Sequence, residues 1–446
     1  MSGAPTTPAL RRELGLRDLV LFNVAAVVGV RWLAAAAHTG PGSITLWLLA
    51  AVLFFVPSAL AVAALSRRFP QEGGIYVWTR DAFGDWHGFL CGWCYWVSNL
   101  FYFPGLLLAG VGMAASALGF AENPVWLVTI SLAALWIASV TNLFGLAIGK
   151  WTGNVGALST GVTGALLVAF GAAVWLHGGS ATHMHILPEW NFDRLNFWSQ
   201  IAFAFGGLEL AAIMGGEIRN PQKTVPRAAW MAGLAIAAFY IAGTLAILVL
   251  LPPYRVSVVI GIVQAASTAG ARLGIGWPPL AIALAICLGV IGQLAVWIAG
   301  TARLPFVIGI DHYLPPVFSR LHPRWGTPHL SILILTGACT VFVIVMQAGE
   351  NLRSGYQLLV DMTVILYFVP FLYLFGATWK CGERLSSAAG LLTTVVAVAL
   401  SFVPPPDVSS VWVFELKLVG GFVVLLMGAR VCFQRARRNI ADDCPF

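Results

Sequence analysis

Charge is what this sequence most lacks: only 10% of its 446 residues are Asp, Glu, Lys or Arg, against about 25% in an ordinary soluble domain. So little charge cannot cover a soluble surface, which excludes a cytosolic enzyme, a secreted domain and a disordered chain. The sequence also has no nucleotide-cradling Gly-Lys-Ser/Thr pattern, no H-E-x-x-H, no G-x-S-x-G and no clustered carboxylate pair. ATP-driven chemistry and hydrolysis by a zinc or serine centre therefore have no residues to work with, and the chain is not expected to be an enzyme. A TVGYG-like filter and a repeated-Arg sensor helix are missing as well. Cysteine is sparse, at seven residues, most of them inside apolar runs where a free thiol acts as a small hydrophobe. Cys91 and Cys94 form a C-x-x-C without metal-ligand neighbours, so packing is the expected role and redox or metal chemistry the lesser alternative. His183 and His185 form an H-x-H with no third or fourth ligand in sight. No cofactor and no metal is expected.

What is abundant is apolar length: 59% of the residues are hydrophobic, with 18 Trp and 27 Phe. A bilayer core about 30 Å thick needs about 20 apolar residues per helix. Twelve such stretches are found, at 18–38, 44–65, 87–116, 125–144, 154–176, 198–215, 228–251, 279–301, 329–348, 357–378, 386–402 and 411–430. The fold class expected is an all-α polytopic membrane protein of twelve transmembrane helices, with the lipid bilayer as its surroundings. The third stretch is long enough to tilt or to extend past the bilayer. The segment 254–278 is too mixed to span and is expected as a short outer helix or loop. Residues 1–17 read as a cytoplasmic tail, not a signal peptide, and 431–446 as a second tail.

The net charge of +7 is topological rather than a nucleic-acid signal. With the N-terminus inside, nineteen Lys and Arg fall in cytoplasmic segments, among them Arg11, Arg12, Arg17, Arg67, Arg68, Lys150 and Arg303. Four fall outside: Arg194, Arg255, Arg272 and Arg353. That asymmetry puts both termini in the cytoplasm.

Two stretches carry signs of a broken helix. The first reads Asn23-Val-Ala-Ala-Val-Val-Gly29-Val-Arg31, with a glycine near mid-span and a cation close behind. The sixth reads Phe203-Ala-Phe205-Gly206-Gly207-Leu-Glu209, with adjacent glycines and a carboxylate two residues on. Irregular backbone survives at membrane depth only beside protein or a cavity. Inverted-repeat transporters place such breaks in corresponding spans of their two halves, where freed N–H groups hold a carboxylate and freed carbonyls an ammonium. Spans 1–5 (about 18–176) and 6–10 (about 198–378) would make the two five-helix units, with helices 11 and 12 (about 386–430) added. Packing glycines are the plainer reading of any one such pair.

The stretch Phe203–Pro226, with its F-x-F-x-G-x-E core and E-x-x-N-P-x-K-x-x-P loop, resembles the sixth helix and following loop of amino acid–polyamine–organocation (APC) permeases. Ala302–Pro328 is similar to that family's A-R…D…L-P…H-P…G-T-P loop, and Phe69–Gly84 to its P-x-x-G-G-x-Y-x-W…F-G segment. The E-G-G-I-Y-V-W form is especially like the glutamate/γ-aminobutyrate antiporter branch. The resemblance implies a leucine-transporter-type 5+5 inverted repeat, alternating access and an amino-acid-like substrate. It further implies a site lined by Val28, Gly29 and Val30 of helix 1 and Phe205, Gly206 and Gly207 of helix 6, with Phe205 as a candidate gate. Two departures stand out. Arg31 replaces the second glycine of the usual G-x-G, and Ala157–Ala172 contains no lysine of the kind some proton-coupled relatives carry. Exchange, uniport or coupling through another group gains weight, with a proton or counter-substrate as partner.

Arg31 is expected to bind a substrate carboxylate, to pair with Glu209 or another acid, or to snorkel. An Arg31–Glu209 pair across the two breaks is the specific expectation. Glu209 is a coupling group or a helix cap. Tyr95, Asn99, Tyr102, Gln293 and Trp297 are candidate cavity-lining residues, with core packing as the plainer alternative. Asp361 is a gate or a water-facing acid, and Glu217, Arg219, Lys223 and Arg227 an inner network with Arg67, Arg68 or Asp311, with solvated topological charge as the simpler alternative for most of them. The function expected is a secondary active transporter or exchanger of amino acids. The alternatives are a polyamine or organic-cation permease and, in another class, a non-transporting sensor or channel-like protein.

Overall fold

The computed structural model describes residues 12–119, 123–185, 187, 192–347, 352–403 and 410–443. Arg11 and the side chains of Arg194 and Arg353 lie outside the described residues. The described residues are predominantly helical. The first apolar run divides into α1 (Leu16–Val27) and α2 (Arg31–Thr39). α3 (Ser43–Ala50) continues through a π-type turn at Ala51–Phe55 into α4 (Val56–Arg68). A short α5 (Ile75–Phe83) leads to α6 (Asp85–Leu118), α7 (Pro124–Leu143) and α8 (Leu146–Gly178). The sixth run divides into α9 (Phe192–Phe203) and α10 (Leu208–Ile213). α11 (Pro221–Leu250), α12 (Gly261–Leu273), α13 (Pro278–Thr301) and α14 (Arg303–Ile310) follow, then α15 (His329–Gln347), α16 (Leu352–Lys380), α17 (Arg384–Leu400) and α18 (Val411–Asp443).

Among the described residues, eight helices are long and apolar enough to cross a membrane, and a ninth if α1 and α2, bent by 48° at their junction, form one span. Three shorter apolar helices, Phe197–Ile213, His329–Val345 and Arg384–Leu400, match the remaining runs. The protein is thus polytopic and all-helical. Residues 254–278 fold as the short α12, not a span.

Some element ends differ from the run boundaries. α8 starts at Leu146 rather than 154 because Lys150 does not end the helix: its Nζ lies 3.5 Å from Asp18 Oδ2 at the start of α1. α18 runs on to Asp443, well beyond 430, because Arg430, Arg435, Arg437 and Arg438 are good helix formers once outside the apolar run. The centre of the bundle is set by α13 lying along α8. Gly156 and Gly292 face each other there so closely that a Cβ on either would collide with the other's backbone. Large apolar side chains such as Trp175, Leu234, Leu392 and Trp412 point outward, as lipid-facing positions require.

Candidate substrate site at two broken helices

A helix that stops in mid-span leaves N–H groups and carbonyls that must be bonded elsewhere. At the α1–α2 junction Val28 is extended (φ −72°, ψ 104°). The carbonyls released there are capped by side chains. Ala26 O accepts from Trp297 Nε1 at 2.9 Å and from Gln293 Nε2 at 3.3 Å, and Val28 O accepts from the same Gln293 nitrogen at 3.3 Å. Gln293 and Trp297, candidates for the cavity wall with core packing as the plainer alternative, brace the broken backbone from α13.

At the α9–α10 junction the chain turns through Ala204–Gly207. Gly207 sits at φ +121°, a conformation that side chains rarely adopt. Its N–H donates to Glu209 Oε2 at 3.2 Å. Glu209 Oε1 accepts from Tyr95 Oη at 2.8 Å and from Tyr367 Oη. This carboxylate is fully buried and bound by three donors. Phe205 is buried too, with ring centroids 5.6 Å from Trp47, 5.3 Å from Phe55 and 5.4 Å from Tyr240.

One side chain that the sequence did not single out joins the two breaks. Tyr240 Oη accepts from Gly29 N–H at 3.1 Å and lies 2.7 Å from Val27 O and 2.9 Å from Ala204 O. A phenol has one proton, so it serves these two carbonyls alternately. The ring is fixed by a stack on Trp47, 4.3 Å between centroids and 4° between planes. Tyr240→Phe keeps that stack but leaves buried polar groups bare, at about 1–3 kcal/mol each. A melting temperature several degrees lower is expected, with slower solute exchange. A variant that melts with wild type would show that the hydroxyl carries no load.

Arg31 opens α2 and is only 3% exposed. Its guanidinium carbon lies 4.4 Å from the Trp32 ring centroid and 5.0 Å from that of Tyr102. Among the described residues, Nε and Nη1 have no hydrogen-bond partner. The expected Arg31–Glu209 ion pair is not formed. Glu209 is instead enclosed by its two tyrosines and the Gly207 amide, while Arg31 is held between ring faces. Spacing along two broken helices does not fix which way their side chains rotate, and these two turn apart. Asn99 Nδ2 bonds back to Tyr95 O of its own helix at 2.8 Å. Asp361 is fully buried in α16 and has a partner of its own. Two narrow crevices flank Arg31. The one beside Val28, Gly110, Thr160 and Gly289 has a volume of about 10 Å³, room for a single water. The other lies against Tyr102, Gly105, Phe203 and Thr363. The two breaks are therefore closed around their own side chains.

At the end of the bundle where the chain begins, a charged cluster seals the helices. Arg303 Nε and Nη2 donate to Glu217 Oε2 and Oε1 at 2.6 and 2.9 Å, and Arg303 Nη1 donates to Ala299 O. Glu72 Oε1 lies 3.8 Å from Arg303 Nε, and its other oxygen accepts from Gly216 N–H at 2.7 Å. Glu13 and Leu14 N–H groups both donate to Glu217 O, and Arg219 N–H to Leu14 O, so the leading segment straps this cluster. Asp311 pairs with Arg80 and accepts from Tyr76 Oη at 2.6 Å. Glu217 is thus joined to Arg303 and Glu72 rather than to Arg67, Arg68 or Asp311, while Asp311 pairs with Arg80 and Arg219 Nε donates to Arg12 O at 3.3 Å. At the far end of α6 an open pocket of about 580 Å³ is lined by Ser116, Gln264, Ser267, Thr268 and Arg255.

Glu72 lies in the loop between α4 and α5. Burial, with Glu217 nearby, outweighs Arg303 and pushes its carboxyl up to about 8. Between about 4.5 and about 8 the folded protein holds a proton that the unfolded chain has lost. Stability contributed by this group therefore falls as pH rises through that window. Glu72→Gln keeps an acceptor for Gly216 but cannot ionise. The expected result is a flatter fall of melting temperature from pH 5 to 8; an unchanged slope would acquit Glu72.

Residues 14–425 match the family model described as amino acid permease. The chain is 27% identical to an uncharacterized transporter of Legionella pneumophila, over 93% of this chain and 95% of that one. It is 25% identical to the serine/threonine exchanger SteT of Bacillus subtilis, over 88% and 90%. It is 22% identical to the probable agmatine/putrescine antiporter AguD of Lactococcus lactis, over 87% and 86%. With the match running through nearly the whole chain, both broken helices included, the protein belongs to the amino acid permease family of membrane transporters.

Proposed function

We propose that the protein exchanges amino acids or closely related solutes across the cytoplasmic membrane by alternating access. The substrate is held where helices 1 and 6 unwind, with its carboxylate on Arg31. The observation that carries this reading is the pair of broken helices joined by Tyr240, with a buried guanidinium at one break whose Nε and Nη1 have no partner among the described residues. The three shorter apolar helices bring the crossings to twelve, with two five-helix units and two added helices, and both termini cytoplasmic. The charged cluster of Arg303, Glu217 and Glu72 is then the closed inner gate. Rocking of one bundle against the other opens it and carries the site from one face to the other.

A polyamine reading draws on Glu209, a buried carboxylate at the helix-6 break, and on the likeness to AguD. Arg31 opposes it, since a cation beside the site repels an amine. Counterflow in proteoliposomes tests the proposal. Unlabelled amino acid trapped inside should accelerate uptake of the labelled solute. Flux that follows voltage without such acceleration would point to a channel, and no flux at all to a sensor.

A further inference from the structure

We infer that the solute recognised at this site is a net anion, a small acid with more carboxylates than ammonium groups, for which Arg31 is the fixed counter-charge. The inference rests on reading the helix-1 break as the substrate site.

Charge is the first ground. A guanidinium keeps its proton in proteins and cannot escape burial by neutralising itself. Arg31 is 3% exposed and makes no ion pair with any carboxylate among the described residues. The ring faces of Trp32 and Tyr102 offset part of the cost of burying it, but they carry no net charge. Glu209 does not pair with Arg31 directly, because its carboxylate is bound by Tyr95, Tyr367 and the Gly207 amide. A neutral zwitterion brought against Arg31 would leave the positive charge in place. A net anion cancels it.

The inventory of donors and acceptors points the same way. The carbonyls on which a substrate ammonium would rest at the helix-1 break are Ala26 O, Val27 O and Val28 O. All three already accept from Trp297, Gln293 or Tyr240. The amides of the second and third residues of α2 are used, Trp32 N–H on Gly29 O and Leu33 N–H on Val30 O. What this break offers in full is the pair of bare donors on Arg31, whereas Val27 O and Val28 O already accept one bond each and keep only a second lone pair for an amine.

The test uses the full-length protein in proteoliposomes, with alanine, aspartate, succinate and putrescine as probes, in the wild type and in Arg31→Gln. Aspartate or succinate should accelerate exchange and raise the melting temperature of the wild type, with alanine much weaker. Arg31→Gln should weaken the acids about tenfold to a hundredfold, the size of a lost charge-assisted hydrogen-bonded pair. Without solute it should melt at or above the wild type, because an uncompensated buried cation is gone. Should the variant fail to fold, competition among the four probes on the wild type still decides. Alanine exchange equal to or faster than aspartate exchange, or acid exchange undiminished in Arg31→Gln, overturns the inference and leaves the amino-acid reading standing. Exchange of succinate but of no amino acid supports the inference and overturns that reading. Acceleration by putrescine alone overturns both.

Discussion

Arg303→Met is expected to destabilise the protein by about 3–5 kcal/mol, because it strips the cation from a buried cluster and strands its acids. Glu217, 4% exposed at its side chain, would lose both of its hydrogen bonds to the guanidinium, and Glu72 its only nearby cation in the cluster. The attraction in such a cluster barely exceeds the cost of drying its charges, so removing the whole cluster costs far less than removing one member. Arg303→Met with Glu217→Leu and Glu72→Gln should therefore recover most of the melting temperature lost by the single variant. The glutamine retains an acceptor for Gly216 N–H. If the cluster is a gate, the triple variant regains its fold without regaining exchange, since the side-chain bonds between Arg303 of α14 and Glu217 that close it are then gone. Recovery of both would make the cluster structural only. A single variant that melts within a degree of wild type would show that these charges are already solvated.

Whatever depends on near neighbours was legible in the sequence. Gly29 and Arg31, and Gly206, Gly207 and Glu209, marked the two interruptions where the helices do break. The apolar runs located the helices, and the mixed composition of 254–278 kept α12 out of the spans. What lay hidden depends on distant partners. Tyr240 meets Gly29 from 211 residues away, and Gln293 meets Ala26 from 267. Arg303, 86 residues from Glu217, counts in sequence as one more positive charge beside a membrane; only the folded bundle brings an acid to it. The Arg31–Glu209 pair failed for the complementary reason. Both residues sit at breaks, but hydroxyls from α6 and α16 reach Glu209 first. No spacing within α1 or α10 encodes that competition.

Gly207→Ala should abolish exchange while leaving a protein that still inserts and can be purified. The backbone at φ +121° and ψ −8° is held by the N–H bond to Glu209, and a Cβ there strains it by about 1–3 kcal/mol. Space is short as well: the added carbon would stand 3.1 Å from Val27 Cγ2 and 3.4 Å from the Ala26 carbonyl. Those atoms belong to the other break. Relief of the contact must therefore either push helix 1 away from helix 6 or return Gly207 to ordinary helical angles. In both cases Ala204 O and Val27 O leave the common reach of Tyr240. Combining Gly207→Ala with Val27→Ala separates the two effects. The smaller neighbour removes the methyl contact but neither the backbone strain nor the nearby Ala26 carbonyl, so the double variant should regain only a minor part of the exchange. Full recovery would mean that crowding alone is at fault. Exchange by Gly207→Ala within twofold of wild type would mean that the unwound helix-6 backbone is not needed in the form seen here.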